Sequence, residues 1–551
     1  MTQKTPENLL QAHCPIAWSV AGSDSGGGAG LQADLRAFAA FDVHGCAAVA
    51  ALTAQNSVSV QRIEPVSPEM LEAQLAALAN DMPPAAIKTG MLGSAANLHV
   101  LVRWIDRLRA ANPGLPVVVD PVLRATTGAT LADESLLHAY RTALLPRATL
   151  ITPNRAEAAA LLGCEALQSQ AAVELAAQAL LALGSKAVVI TGGDVLAPTV
   201  STSCLPCPPG GPSSALRRPG GGWSTHSEDY AATPHANGWL SLARVATKHH
   251  HGTGCVFASS AAAALAKGFV AIEAIILAKM ATTHALRHGY AAGQGAGPVS
   301  PRADFALHAN NLPHFSIPGQ THVPGFATLS NPDLGLYAVV DSSAWVRRVL
   351  NAGVRTVQLR LKDPNHPALR NEVRTSIQAA RAANAQLFIN DHWQIAIEEG
   401  AYGVHLGQED LATADLAAIA RAGLRLGLST HAYWEVCRAW VLKPSYIACG
   451  PIHPTQAKAM PWTAQGNGNL AYWCALLSGS GGLPVVGIAG MTTARATQAA
   501  QCGAASVAVI SAITAAADPE AMVAELQHAI ATGQSLPRWP VPGLPQSTLL
   551  Q

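Results

Sequence analysis

Charged and aromatic side chains are both scarce. Only 13% of residues are charged and 5% aromatic, against 49% apolar, a composition that excludes a disordered chain. Neither charge sign is in excess. The 35 Lys and Arg face 34 Asp and Glu, for a net charge of +1, which gives no basis for nucleic acid or an anionic membrane as partner. The ten cysteines are scattered. Their one close pair, Cys204 and Cys207, lacks the second pair that a zinc site needs, so they read as reduced thiols of a cytoplasmic protein. The opening MTQKTPENLLQAHC has no hydrophobic signal core. The longest Ala-rich stretch, Cys255 to Ala281, is interrupted by Lys267, Glu273 and Lys279. It reads as two helices of a globular fold and not as a membrane span. No GxxxxGK[ST] occurs, which excludes a P-loop.

What is present is length, Ala and Gly. The chain has 551 residues, whereas single cores stop growing at about 250–300 residues, so two domains are expected. From 16 to about 295, apolar runs at 16–20, 43–52, 86–89, 116–120, 148–152 and 186–191 alternate with helical stretches. That rhythm predicts a largely parallel sheet covered on both faces. Residues 195–240, rich in Pro, Gly and Ser, read as an irregular loop or flap, and 296–334 as a linker. A second rhythm, with strands at 336–340, 355–360, 386–390, 402–406, 424–429, 445–450, 484–490 and 505–511, predicts a closed (β/α)₈ barrel over 335–535, followed by a tail at 536–551.

Several segments carry chemistry. AGSDSGGGAGLQADL (21–35) lets backbone approach a ligand, although Gly-rich turns are common. HGTGC (251–255) precedes a helix whose first N–H groups form an anion hole, or merely start a helix. VVVDPV places Asp120 at a strand end, and TPNRAEA places Asn154 and Glu157 after another. Two carboxylates there suit Mg²⁺ beside nucleotide phosphates, while each alone also reads as a helix cap or a first-turn dipole partner.

With LTAQNSVSV (52–60) and IKTGMLGS (87–94), these motifs resemble, in order, the hydroxymethylpyrimidine/phosphomethylpyrimidine kinases of the ribokinase-like superfamily. The resemblance implies an α/β/α layered domain over 1–295, with ATP as phosphoryl donor. It implies that Gln55, Asp24 and Met91 line the pyrimidine pocket and that Asp120 and Glu157 organise Mg²⁺. Gly252, Thr253, Gly254 and Cys255 would form the anion hole. Sugar kinases of the superfamily have an Asp where this chain has Cys255; a thiolate with a lowered pKa could serve there as base, whereas an acceptor that is already a phosphate monoester needs no strong base. The family's Lys before the Gly pair at 192 is replaced by Thr191.

In the second half, VQLRLKD (357–363) places Arg360 and Lys362 at one strand end, LFINDH places Asn390 and Asp391 at the next, and VHLGQEDL places Asp410 beyond a third. Cations and carboxylates together on a barrel rim suit a Mg²⁺-bound diphosphate, or surface ion pairing. GPIHPTQAKAMP (450–461) reads as a lid. The segments resemble thiamine-phosphate synthase over about 335–530, with nineteen residues from Asp391 to Asp410 and nineteen more to Ser429. By that resemblance Gln358, Leu359, Arg360, Leu361, Lys362, Asn390, Ser429 and Lys458 bind a pyrimidine diphosphate, and Asp391 and Asp410 hold Mg²⁺. Thr455, Gln456, Ala457, Gly490, Ile510 and Ser511 surround a thiazole phosphate. Ala457 and Ala489 depart from the family's Thr and Gly.

The sequence thus points to a bifunctional enzyme of thiamine biosynthesis: a kinase making the pyrimidine diphosphate and a synthase coupling it to thiazole phosphate. A homo-oligomer is compatible with it. The alternatives are a pyridoxal-type vitamin kinase, or an inactive binding remnant, in the first half.

Overall fold

The computed structural model describes residues 14–123, 133–193, 225–317, 325–455 and 462–549. In the first half, strands β1 (Ile16–Asp24), β2 (His44–Gln55), β3 (Val60–Pro65), β4 (Ala86–Thr89), β5 (Val117–Val119), β6 (Leu150–Ile151), β7 (Val188–Ile190), β8 (His226–Ala232), β9 (Asn237–Ala243) and β10 (His314–Phe315) form one sheet. Its order is β10-β9-β8-β7-β6-β5-β4-β1-β2-β3. The centre, β7 to β2, is parallel, and the margins are antiparallel. Successive strand residues serve opposite faces. Val117 and Val119 join one apolar core and Val118 the other, which is why β5 is apolar throughout. Helix Thr253–Ala266 is small and apolar all round, and its residues Val256 to Leu265 are all buried, as such a helix must be.

Two expectations are corrected. The stretch 195–240 is not irregular throughout, because β8 and β9 form a hairpin that ends at Ala243; residues 194–224 lie outside the described residues. HSEDYAA and NGWLSLA alternate polar with apolar residues and bury one side of the ribbon, so they lack the continuous apolar run that marked the central strands. The stretch 296–334 is more than a spacer. It forms two 3₁₀ turns, Ala303–Leu307 and Ala309–Asn311, and contributes β10, anchored by buried Phe305, Leu312 and Phe315.

The second half is a closed barrel of eight parallel strands: β11 (Gly335–Val340), β12 (Thr356–Leu359), β13 (Gln386–Asn390), β14 (Gly403–Leu406), β15 (Arg425–Thr430), β16 (Tyr446–Cys449), β17 (Val485–Ile488) and β18 (Ser506–Val509). Its interior is packed by Tyr337, Val339, Phe388, Tyr446, Ala448, Val486 and Ala508. Gly427 makes room for this filling, since a Cβ there would lie 2.2 Å from the Tyr446 ring.

The halves meet along an apolar seam. Phe269 packs edge-on to Tyr433 (6.4 Å between centroids). The Tyr433 and Tyr472 hydroxyls are 2.6 Å apart, and Tyr472 donates to Ala306 O at 2.8 Å. His235, at the β8–β9 turn, lies against Trp434. Glu273 is buried in the seam, with the Ser547 and Thr548 hydroxyls 3.4 Å from its oxygens. The terminal stretch therefore braces both halves. Among the described residues no helix is long and apolar enough to cross a membrane.

Candidate active sites

A cavity of about 890 Å³ opens at the carboxyl ends of the parallel strands of the first half, where open α/β sheets place ligands. It brings together Asp24, Gln55, Met91, Asp120, Glu157, Gly252, Thr253, Gly254 and Cys255. Gly252 caps helix Thr253–Ala266 at φ 82°. A Cβ there would lie 2.1 Å from Gly28 O, so the two glycine-rich motifs interlock at one edge of the cavity.

Asp24 accepts from the N–H groups of Gly26, Gly28 and Ala29 at 2.8, 3.0 and 2.9 Å, and His251 Nε2 stands 3.0 Å from it. Burial alone would raise the Asp24 pKa, but His251 and the N–H groups of Ala29 and Gly26 hold it below the ordinary value. Asn154 and Glu157 close a reciprocal capping box at 2.9 Å on helix Arg155–Leu162. Glu157 is therefore both a cap and a cavity residue.

Near Cys255 lies a group that sequence reasoning missed. Buried Lys88 contacts both oxygens of Asp34 at 3.0 Å and Asp120 Oδ2 at 3.6 Å. Ser19 and Ser259 donate to Asp34 at 2.6 and 2.7 Å. Burial pulls the Lys88 pKa down, but Asp34, Cys255 and Asp120 outweigh it and the net shift is upward. Burial pushes Asp120 up to about 6 despite Lys88. Its Oδ2 faces Lys88 and has no closer hydrogen-bond donor among the described residues, which leaves a hard oxygen suited to a divalent cation. The signal was a lysine within a strand read as buried.

The thiolate reading of Cys255 is corrected. Burial pushes its pKa up to about 12, and Asp34 and Asp120 oppose the help from Lys88, so Cys255 is a neutral thiol near pH 7. Thr191 lines the cavity, as do two further cations. Arg244 donates to Gly193 O at 2.7 Å, and Lys279 pairs with Asp229 at 2.7 Å.

At the barrel mouth, Asp391 follows β13 in the left-handed region (φ 62°). Such strain in a non-glycine residue clusters at functional sites. Asn390 Nδ2 donates to Asp391 Oδ2 at 2.5 Å, and Asp410 Oδ2 accepts from Gly407 N–H at 2.8 Å. Partial burial first and the Asp410 carboxylate second raise the Asp391 pKa, against His392 and Arg360. Two carboxylates that repel each other beside an arginine fit a divalent cation. Arg360 is half-buried at the rim and Lys362 exposed. Gln358 points into the barrel and reaches Tyr337 OH. Leu359 and Leu361 turn their side chains to the outer apolar layer, and Leu361 O is 2.8 Å from His392 Nε2, so neither side chain joins the mouth. Ser429 Oγ meets His405 Nε2 at 2.9 Å.

Thr455 follows Pro454, whose carbonyl lies beside Gly490, and Arg495 donates to Gly490 O at 2.6 Å. Ile510 and Ser511 stand where β18 gives way to the short helix Ser511–Thr514. Gln456, Ala457 and Lys458 lie outside the described residues. A hollow of about 230 Å³ between Asp333, Arg355 and Gln527 is at the opposite end of the barrel, away from these carboxylates.

His284, Asp304 and His308 also cluster. Asn311 Nδ2 faces His284 Nδ1 at 3.2 Å while donating to Phe305 O and accepting from Arg287 through Oδ1. That arrangement keeps the imidazole proton on Nε2, directed at Asp304 3.1 Å away, and leaves that nitrogen no lone pair for a cation.

Residues 24–300 match the family model of phosphomethylpyrimidine kinase, and residues 336–513 that of thiamine monophosphate synthase. A probable thiamine biosynthetic bifunctional enzyme of Oryza sativa subsp. japonica is 32% identical over 93% of this chain and 88% of its own. The chain belongs to the bifunctional thiamine biosynthetic enzymes. Thiamine-phosphate synthase of Serratia proteamaculans is 52% identical over 36% of this enzyme and 92% of its own chain. Among solved structures, an ADP complex of pyridoxal kinase from Bacillus subtilis is 30% identical over 52% of this enzyme and 97% of its own chain, with a TM-score of 0.43. The enzyme joins a phosphomethylpyrimidine kinase half to a thiamine-phosphate synthase barrel, and the pyridoxal-type alternative for the first half is not favoured.

Proposed function

We propose that the first cavity transfers the γ-phosphoryl group of ATP to hydroxymethylpyrimidine phosphate, and that the barrel mouth joins the resulting diphosphate to thiazole phosphate. One observation carries this reading. Nine residues expected around a pyrimidine and a nucleotide line one cavity, while a separate pair of interacting carboxylates stands on the rim of a barrel in the same chain.

In the kinase half, Gln55, Met91 and Asp24 bind the pyrimidine, and a phosphate oxygen of the substrate attacks the γ-phosphorus as ADP departs. A phosphate monoester is already anionic and needs no strong base, which agrees with a neutral Cys255 thiol. Cys255 contributes with Gly252, Thr253 and Gly254 through main-chain N–H groups at a helix start, a fixed positive field for the phosphoryl group in flight. Arg244 supplies the phosphate contact that Thr191 cannot make. Asp120 and Glu157 would hold Mg²⁺ here, and Asp391 and Asp410 in the barrel. When bound, the ion draws charge from phosphate oxygens.

In the synthase half, Gln358, Asn390 and Ser429 hold the pyrimidine, and Arg360 and Lys362 neutralise the diphosphate. The bond from the methylene carbon to oxygen breaks, and pyrophosphate leaves with the electron pair. The electron-rich aminopyrimidine stabilises the methylene cation until the thiazole nitrogen donates its lone pair to that carbon. Gly490, Thr455, Ile510 and Ser511 retain the thiazole phosphate. No covalent bond to the enzyme forms.

The test is a coupled incubation with ATP, Mg²⁺, hydroxymethylpyrimidine phosphate and thiazole phosphate, followed by chromatography. The unaltered enzyme forms thiamine phosphate. Asp391→Ala stops coupling while pyrimidine diphosphate accumulates; full coupling in that variant would refute the metal assignment.

A further inference from the structure

Three buried residues with no role so far, Tyr337, Tyr446 and His405, form a continuous hydrogen-bond chain through the barrel interior. Gln358 Nε2 donates to Tyr337 OH at 3.2 Å, and the hydroxyls of Tyr337 and Tyr446 are 2.8 Å apart. Tyr446 OH lies 2.7 Å from His405 Nδ1, and His405 Nε2 lies 2.9 Å from Ser429 Oγ. The two ends of the chain, Gln358 and Ser429, are the residues assigned above to the pyrimidine.

Such a chain has a direction. Each hydroxyl carries one proton, and so does a neutral imidazole. His405 is buried with only hydroxyls as side-chain hydrogen-bond partners, and a buried imidazole with no carboxylate partner is held neutral. Gln358 donates to Tyr337, and the Tyr337 proton then has only Tyr446 as acceptor. Tyr446 in turn donates to His405 Nδ1, which puts the imidazole proton on Nε2, donating to Ser429 Oγ. The Ser429 proton is thereby left to point out of the chain. With the Gln358 amide oriented as it is, Nε2 toward Tyr337, the opposite direction sets the Tyr337 proton against the Gln358 amino group, two buried donors face to face, which is unfavourable. Gln358 Oε1, the other end of the same amide, has no hydrogen bond among the described residues and is not sealed in.

We propose that this relay is the specificity device of the synthase half, with Tyr337, Tyr446 and His405 as positioning residues. It fixes Gln358 as acceptor and Ser429 as donor. An aminopyrimidine offers the complement, because its exocyclic amine donates and its ring nitrogen accepts. The oxo analogue offers the inverse, a carbonyl that accepts and a ring N–H that donates; its carbonyl would face Gln358 Oε1, acceptor against acceptor, and its N–H could meet Ser429 only through the second lone pair of Oγ, leaving the Ser429 proton without the ring nitrogen. Discrimination by unmatched hydrogen bonds exceeds what pocket shape alone provides. The inference rests on the reading that the barrel mouth binds an aminopyrimidine diphosphate.

The test uses the full chain and two variants that delete a hydroxyl and keep the ring, Tyr446→Phe and Tyr337→Phe. With purified pyrimidine diphosphates as substrates, the KM for the amino compound is expected to rise about tenfold, as for loss of one oriented hydrogen bond, with kcat changed by no more than about twofold on the same reasoning. The preference for the amino over the oxo diphosphate is expected to fall by a similar factor. The kinase activity of the same molecules should stay intact, which reports folding. Nitrogen-15 NMR of histidine-labelled enzyme should show His405 with its proton on Nε2 in the unaltered chain and a changed Nδ1 signal in Tyr446→Phe. An unchanged KM and preference in both variants, or a His405 proton on Nδ1, would overturn the relay. Gln358→Ala and Ser429→Ala separate the two levels. If they too leave KM unchanged, the pyrimidine reading of the mouth fails; if they raise it while the Tyr variants do not, only the relay fails.

Discussion

Arg244 shows how a missing residue type can be replaced from elsewhere in the chain. Thr191 occupies a position where a cation was expected, yet the Arg244 guanidinium reaches the neighbouring Gly193 carbonyl from the end of β9. Its Nε is buried without a partner among the described residues, so the group has donor capacity to spare for a phosphate. Arg244→Ala should raise the KM for ATP about tenfold, the weight of a charge-assisted hydrogen bond, while leaving synthase turnover alone; separate assays of the two half-reactions check this. A second residue departs in the other direction. Ala489 sits at φ 82°, where a Cβ is penalised. Ala489→Gly should stabilise the barrel by about 1 kcal/mol, measured by denaturant unfolding. Most of the lining of the first candidate site was legible at this scale, because its polar residues stand at strand ends and helix starts. The parts that were not legible depend on partners distant in sequence. Lys88 is explained only by Asp34, and the Cys255 pKa only by the burial and carboxylates around it. His405 acquires meaning only once Tyr446 is seen across the barrel.

At the scale of elements, the helices that carry site residues are fixed at their first turns. The box between Asn154 and Glu157 ties the start of helix Arg155–Leu162 to the strand before it. Asn154→Ala should cost about 1 kcal/mol of stability. Because Glu157 then loses its tether, kinase turnover should fall while synthase turnover holds, which paired activity assays will reveal. The central strands and the eight barrel strands were readable because each is a short, mostly apolar segment that alternates with a helical stretch. The hairpin β8–β9 was not, since one face of the ribbon is polar and its flanks are rich in Pro and Gly. β10, two residues long, gives no periodicity at all; it is held by the burial of Phe315.

At the scale of the whole molecule, the seam contains a titratable group. Burial raises Glu273 to about 7, against N–H groups of Tyr433 and Val270 and the hydroxyls of Ser547 and Thr548. A carboxyl raised in the folded state above its unfolded value of 4.5 favours folding in its protonated form. That contribution is complete below the unfolded pKa, declines between about pH 4.5 and 7, and is gone above. Glu273→Gln removes the decline. The variant should match the unaltered enzyme in thermal midpoint at acid pH and exceed it above pH 7, by an amount corresponding to a few kcal/mol; scanning calorimetry across pH checks this.

The seam has one more consequence. Tyr433 and Tyr472 belong to the synthase half, yet their hydroxyl pair ends on Ala306, in the turns that hold the edge of the kinase sheet. The two catalysts therefore share a fate. A lesion that loosens this joint strips both of their cover at once, so a cell would lose the making and the spending of the intermediate together and would not be left with a stranded, reactive diphosphate.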